Sequence, residues 1–224
     1  PRALNRFVDV QHFRNEGATM LAASIHLSRG TPYIYMGEEI GMVDPDYDSM
    51  ADYVDVESIN AYQMLLEQGN TPEEAFAIIQ AKSRDNSRTP MQWDDSANAG
   101  FTTGIPWLKA GKSYPEINVE NEMQGPIFTF YQKLIALRKE LPIIAEGSYR
   151  PVYEDSQQVY AFERQLGAEK LLVLNNFYPD PITIDILPEY QNGEVLLSNY
   201  EEAQTAAVVT LRPYESLAII VNKH

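Results

Sequence analysis

The chain has 224 residues, 44% hydrophobic and 22% charged, ordinary globular usage that excludes wholesale disorder and collagen-like architecture and fits one large domain or two small ones. Against 17 Lys and Arg stand 32 Asp and Glu, a net charge of -15 that repels polyanions on average, so nucleic acid and anionic membrane surfaces are not expected partners. With no Cys there is no disulfide, zinc–thiolate cluster or thiol nucleophile, and a reducing cytoplasm is compatible.

The opening Pro1-Arg2-Ala3-Leu4-Asn5 has neither an initiator Met nor the basic-then-apolar layout of an export signal, so the chain need not begin where its gene begins. Residues 14–28 place Ala18, Leu21, Ala22 and Ile25 at helical spacing, and Arg29-Gly30-Thr31-Pro32 supplies the stop. Tyr33-Ile34-Tyr35-Met36 then reads as a fully buried parallel strand. Gly41 and Pro45 make the acidic stretch Asp44 to Asp55 a loop. Thr71-Pro72-Glu73-Glu74 is a capping box that starts a helix running to about Lys82. A further helix follows Pro126, with Ile127, Phe130, Leu134, Leu137 and Leu141 stepping by three and four before Pro142.

Between Lys82 and Gly125 lies a long segment rich in Gly, Pro, Asn and Asp, a length that in a compact domain marks a functional loop or a wrong assignment. Beyond Gly147 seven short apolar or alternating runs recur, near residues 149–153, 159–164, 170–175, 182–186, 194–197, 207–211 and 216–221. Their spacing and turn residues predict an antiparallel sandwich. One buried parallel strand among helices has no ladder partners, and its backbone polar groups would be expensive to bury alone. The N-terminal part is therefore expected to be the tail of a larger α/β domain.

The chemistry candidates are carboxylates and arginines. His12, His26 and His224 do not have the spacing of a metal site. Glu38 and Glu39 follow the expected strand, but adjacent residues leave a strand toward opposite faces, so one is expected to pair structurally while the other lines a cleft. Asp55 and Glu57 could reach a cleft, although a solvated acidic face is the commoner outcome for such a run. The densest constellation is Ser83-Arg84-Asp85-Asn86-Ser87-Arg88-Thr89-Pro90-Met91-Gln92-Trp93. Planar bidentate donors beside an aromatic ring suit sugar hydroxyls and faces, and a self-bonded surface loop is the equal alternative.

Several of these segments together resemble one family. Arg29 to Tyr35 with Gly37 to Met42, then Arg84 to Trp93, then Asn98-Ala99-Gly100-Phe101 are similar, in the same order, to the C-terminal half of the oligo-1,6-glucosidase group of the α-amylase superfamily, glycoside hydrolase family 13. Within that group the wording from Met36 through Ser58 is most similar to the dextran glucosidase (glucan 1,6-α-glucosidase) members; those acting on maltose or trehalose 6-phosphate often carry Gln where Met36 stands.

The resemblance implies an α/β plus all-β fold. Residues 1–145 would be the last part of a (β/α)8 TIM barrel, with its seventh helix, eighth strand and eighth helix, and residues 146–224 a C-terminal β-sandwich. It also implies a retaining, exo-acting α-1,6-glucosidase working on isomalto-oligosaccharides and dextran ends. The family's catalytic Asp, Glu and Asp would lie upstream, Pro1-Arg2 matching the end of the motif that carries the last of them, so the chain alone would be inactive.

Substrate binding would fall to Arg84, matching the family arginine that, buried with an Asp from the first barrel strand's side across the end of the pocket, holds the 4-hydroxyl of the terminal glucose, and to Glu57, matching an acid of the aglycone subsites. Asp85 and Arg88 would be loop scaffolding. No cofactor is implied, and any family calcium site would lie on barrel loops outside the chain. An exposed barrel edge would invite self-association. The alternatives are a trehalose-6-phosphate hydrolase or α-1,4-glucosidase of the same family, and a non-catalytic carbohydrate-associated fragment.

Overall fold

The computed structural model describes residues 1–203 and 205–222, so His224 lies outside the described residues. The helices are α1 (Ala3–Phe7), α2 (Val10–His26), α3 (Val56–Glu67), α4 (Pro72–Lys82), α5 (Val119–Glu122), α6 (Pro126–Glu140) and α7 (Pro142–Glu146). The strands follow: β1 (Ser148–Val152), β2 (Val159–Leu166), β3 (Glu169–Asn176), β4 (Ile182–Asp185), β5 (Glu194–Ser198), β6 (Val208–Leu211) and β7 (Ser216–Val221). The chain divides into two compact units, one of Pro1–Arg6 with Met36–Gly125, the other of Phe7–Tyr35 with the chain from Pro126 onward.

In the second unit all seven expected strands form. They make a five-stranded antiparallel sheet ordered β1-β2-β3-β7-β5 and a two-stranded sheet of β4 and β6. Alternate residues of a strand face opposite sides. Val159, Ala161, Leu172, Leu174, Leu217 and Ile219 enter a core shared with Ile186, Tyr190 and Leu211. Their neighbours Phe162, Leu171, Val173, Ala218 and Ile220 are equally buried on the other side, where α2 and α7 pack. Asp9 caps α2 by accepting from the Gln11 N–H, which starts the helix earlier than the apolar spacing indicates. Pro142 separates α6 from α7, as its missing N–H and ring predict.

Arg164 of β2 is fully buried on that helix-facing side. Its guanidinium is held by carbonyls: Nε donates to Ser148 (2.8 Å), Nη1 to Leu27 (2.8 Å) and Ile144 (2.7 Å), and Nη2 to Gly147 (2.8 Å). One planar cation thus ties the C-cap of α2, the helix α7 and the entry to β1.

The first unit is built on the α3–α4 hairpin. Thr71 and Glu74 form the expected capping box, with Pro72 in the first turn. Tyr47, Tyr53 and Ile79 make a small core that Tyr62, Leu65 and Phe76 cover. The long segment 83–118 has short 3-10 helices at Arg84–Ser87 and Ala97–Gly100, and otherwise turns.

Two expectations are corrected. The buried strand over Tyr33 to Met36 does not form: these residues are 84, 41, 47 and 40% exposed, and no strand of the described residues runs alongside to complete a ladder. Residues 56–67, assigned no element from their sequence, are the helix α3. Its apolar positions Ile59 and Met64 stay exposed, which blurs the periodicity, and the N-cap carboxylate of Asp55 starts it instead.

Replacing Arg164 by Leu strips a charged donor from four carbonyls, three of them in buried bonds. The unfolding free energy should fall by about 3–5 kcal/mol, read as a drop in urea midpoint. Arg164→Lys should recover little, because a single ammonium cannot span that set; unaltered midpoints would show that the carbonyls find other donors.

Candidate functional site

The site in the first unit grows from one buried carboxylate. Asp85 is fully buried, and its Oδ2 accepts the N–H groups of Val54 (2.8 Å) and Asp55 (2.9 Å). That clamps the Arg84–Ser87 turn to the start of α3. Asp55 then caps α3 through Oδ2, which accepts from Ser58 N (3.1 Å) and Ser58 Oγ (3.0 Å); the Ser58 hydroxyl is also 2.8 Å from that of Ser83.

Arg84 projects onto this platform. Its Nη2 donates to Asp55 Oδ1 (2.7 Å), Nε lies 3.4 Å from Asp55 Oδ2, and Nη2 also reaches Glu57 Oε2 at 3.0 Å. Arg88 Nη1 lies 3.5 Å from Asp55 and 3.6 Å from Asp85. The two residues expected to bind substrate are therefore in direct contact. The Arg84 side chain is 55% exposed, the Glu57 side chain 73% and the Asp55 side chain 5%. Arg84 is thus not buried as expected. The buried member of the pair is Asp55, which was expected on a solvated acidic face, and the far edge of the guanidinium stays open.

Burial by itself would raise the Asp55 carboxyl, but the hydrogen bonds from Arg84 and Ser58 and the charge of Arg84 outweigh it and hold the group below the usual aspartate range. Hydrogen bonding to Asp55, followed by the charges of Asp55 and Glu57, raises Arg84 still further. Both groups stay ionised throughout neutral pH.

The acidic loop leading into the site is braced. Tyr47 Oη donates to the Lys109 carbonyl (2.6 Å) and Lys112 N to that of Pro45 (3.1 Å). Lys112 Nζ pairs with Asp48 (2.6 Å) and Asp46 (3.7 Å), and Lys109 with Asp52. Burial pushes the Tyr47 and Tyr53 phenols upward. Glu39 accepts the N–H of Gly37 (2.9 Å), where a φ of 87° favours glycine, so it has a structural contact. Beside the site a cavity of about 130 Å³ is lined by Met36, Arg88, Met91, Phe101, Trp107 and Leu108. Trp93 is 49% exposed, and Trp107 68%. Among the described residues no group of His, Asp and Glu is arranged to hold a metal ion. His12 pairs with Asp9 at 2.8 Å, and His26 is buried edge-on to Tyr131.

Residues 1–147 match the family model of the alpha amylase catalytic domain. The chain belongs to the α-amylase family. Residues 159–218 match the model of the alpha-amylase SusG C-terminal domain. The chain is 44% identical to a trehalose-6-phosphate hydrolase of Bacillus subtilis, across 100% of the chain and 41% of that protein. It is 45% identical to an oligo-1,6-glucosidase of Parageobacillus thermoglucosidasius, across 96% of the chain and 40% of that protein.

The crystal structure of Bacillus licheniformis trehalose-6-phosphate hydrolase superposes with a TM-score of 0.93 at 43% identity, over 100% of the chain and 41% of that structure. The trehalulose synthase MutB superposes with a TM-score of 0.90 at 38% identity, over 99% and 41%. The chain thus spans about two fifths of the length of these relatives. Its fold is that of the C-terminal end of the family's (β/α)8 barrel followed by an antiparallel β domain.

The depressed Asp55 value sets a pH dependence. Because the unfolded chain takes up the proton first, the stabilisation from Asp55 is complete only above about pH 5, begins to fall as the unfolded aspartate protonates near about pH 4, and is gone once pH passes below the lower folded-state value. The stability difference between the native protein and Asp55→Asn should therefore shrink from about pH 6 to about pH 3 in denaturant titrations. A difference that stays constant over that range would contradict the depressed value.

Proposed function

We propose that the chain is part of a retaining, exo-acting α-glucosidase that hydrolyses α-1,6-glucosidic bonds at the ends of isomalto-oligosaccharides and dextran. The observation that carries this reading is the contact of Arg84 with the buried Asp55 and the exposed Glu57. A planar donor edge beside carboxylate acceptors matches the alternating donors and acceptors of a sugar's hydroxyls. In this reading Arg84 holds the terminal glucose by its 4-hydroxyl, and Glu57 lines the neighbouring aglycone subsite. Similarity to oligo-1,6-glucosidases supports the linkage class.

Residues 1–145 act as the closing part of the barrel with its binding loops, and residues 146–224 as the C-terminal domain. The catalytic carboxyls belong to the portion of the protein upstream of Pro1, so the 224-residue chain alone turns nothing over. The work is done in the cytoplasm, which a chain without Cys suits.

Trehalose-6-phosphate hydrolysis is the second reading, supported by the relatives of that name. A phosphate calls for uncommitted cations. Lys109 and Lys112 beside the acidic loop are already engaged by Asp52, Asp48 and Asp46, and Arg84 by two carboxylates, which favours a neutral sugar.

Assays of the full-length protein on isomaltotriose, maltotriose and trehalose 6-phosphate should show glucose released fastest from isomaltotriose. Faster turnover of trehalose 6-phosphate would move the assignment to the second reading. Arg84→Ala should raise the barrier in kcat/KM by roughly 2–4 kcal/mol, and the 224-residue chain should release no glucose.

A further inference from the structure

We propose that Asp55 is a positioning residue for substrate recognition, holding one edge of Arg84 so that only Nη1 is presented to the sugar. The inference rests on the reading of Arg84 as a substrate-binding residue.

A guanidinium has five N–H groups in a fixed plane. The Nε and Nη2 edge is consumed: Asp55 takes Nε and one Nη2 hydrogen, and Glu57 the other. Among the described residues nothing takes the pair on Nη1. The open donors thus lie on the side of Arg84 away from Asp55, while the carboxylate of Glu57 remains 73% exposed as an acceptor.

An arginine this exposed would otherwise sample several rotamers, and fixing it at the moment of binding weakens affinity. Asp55 prevents this because it is itself immobile. Its side chain is 5% exposed, both Ser58 donors bind its Oδ2, Arg88 approaches its Oδ1, and its own N–H is held by Asp85.

The bland alternative is that the Arg84–Asp55 pair only joins the Arg84–Ser87 turn to α3. That join is already made by the buried carboxylate of Asp85, which accepts from the N–H groups of Val54 and Asp55. The exposed guanidinium adds little to it, since pairs reaching solvent contribute weakly to stability.

The test is a double-mutant cycle in the full-length protein with isomaltotriose, reading KM, kcat and melting temperature. Asp55→Asn should raise KM about tenfold, the scale of weakening charged hydrogen bonds, with a smaller effect on kcat. In an Arg84→Ala background the same substitution should change KM by less than about twofold, while the fall in melting temperature is the same in both backgrounds. An equal rise in KM in both backgrounds overturns the positioning role and leaves Arg84 in the site. Wild-type kcat/KM in Arg84→Ala instead overturns the reading of Arg84, and the proposal with it.

Should Asp55→Asn fail to fold, Ser58→Ala carries the same cycle, because it removes one bond from Asp55 Oδ2 and keeps the charge. A KM rise that disappears without Arg84 supports the proposal, and one that persists overturns it.

Discussion

The arrangement of the candidate site depends on the carboxylate of Asp85. Burying a carboxylate is costly unless its oxygens are met by donors and charge; Arg88 lies 3.6 Å from one oxygen, and Val54 and Asp55 bring two N–H groups within 2.9 Å of the other. That demand sets where α3 begins. Once Asp55 is at the N-cap, its carboxylate turns toward Ser58 and toward the arginines that follow Ser83. Glu57, two positions on, comes from the first helical turn beside the same arginine.

The second unit solves the opposite problem with a buried cation. Among the described residues Arg164 has no carboxylate partner, and its charge is spread over the carbonyls of Leu27, Ile144, Gly147 and Ser148. These include carbonyls exposed by the ends of helices, where negative partial charge accumulates. Burial and the neighbouring cations Arg138 and Arg29 lower its proton affinity, yet arginine's very high intrinsic value keeps it charged. A lysine in its place would be far more readily neutralised.

A net charge of -15 leaves few cations, and the first unit commits several of them internally. Lys109 and Lys112 hold the acidic loop, and Arg84 and Arg88 neutralise Asp55 and Asp85. Part of the acidity around the site is therefore paired in place.

Much of this was legible in the sequence. The seven strands, the capping box at Thr71 and the break at Pro142 follow from side-chain alternation, a local hydroxyl-to-N–H bond and a missing N–H, all short-range effects. Arg84 and Glu57 became candidates only through the motifs that resemble the α-amylase family. The helix α3 was hidden because its apolar side chains are half exposed, although Asp55 and Ser58 stand at N-cap spacing. The strand expected over Tyr33 to Met36 is not formed among the described residues, because β-forming residues cannot make a ladder without a neighbour. The sequence by itself determined the elements and the supply of charges. Only the tertiary structure decided that Asp55 would be buried and Arg84 exposed, because desolvation and hydrogen-bond geometry depend on residues about thirty positions apart meeting in space.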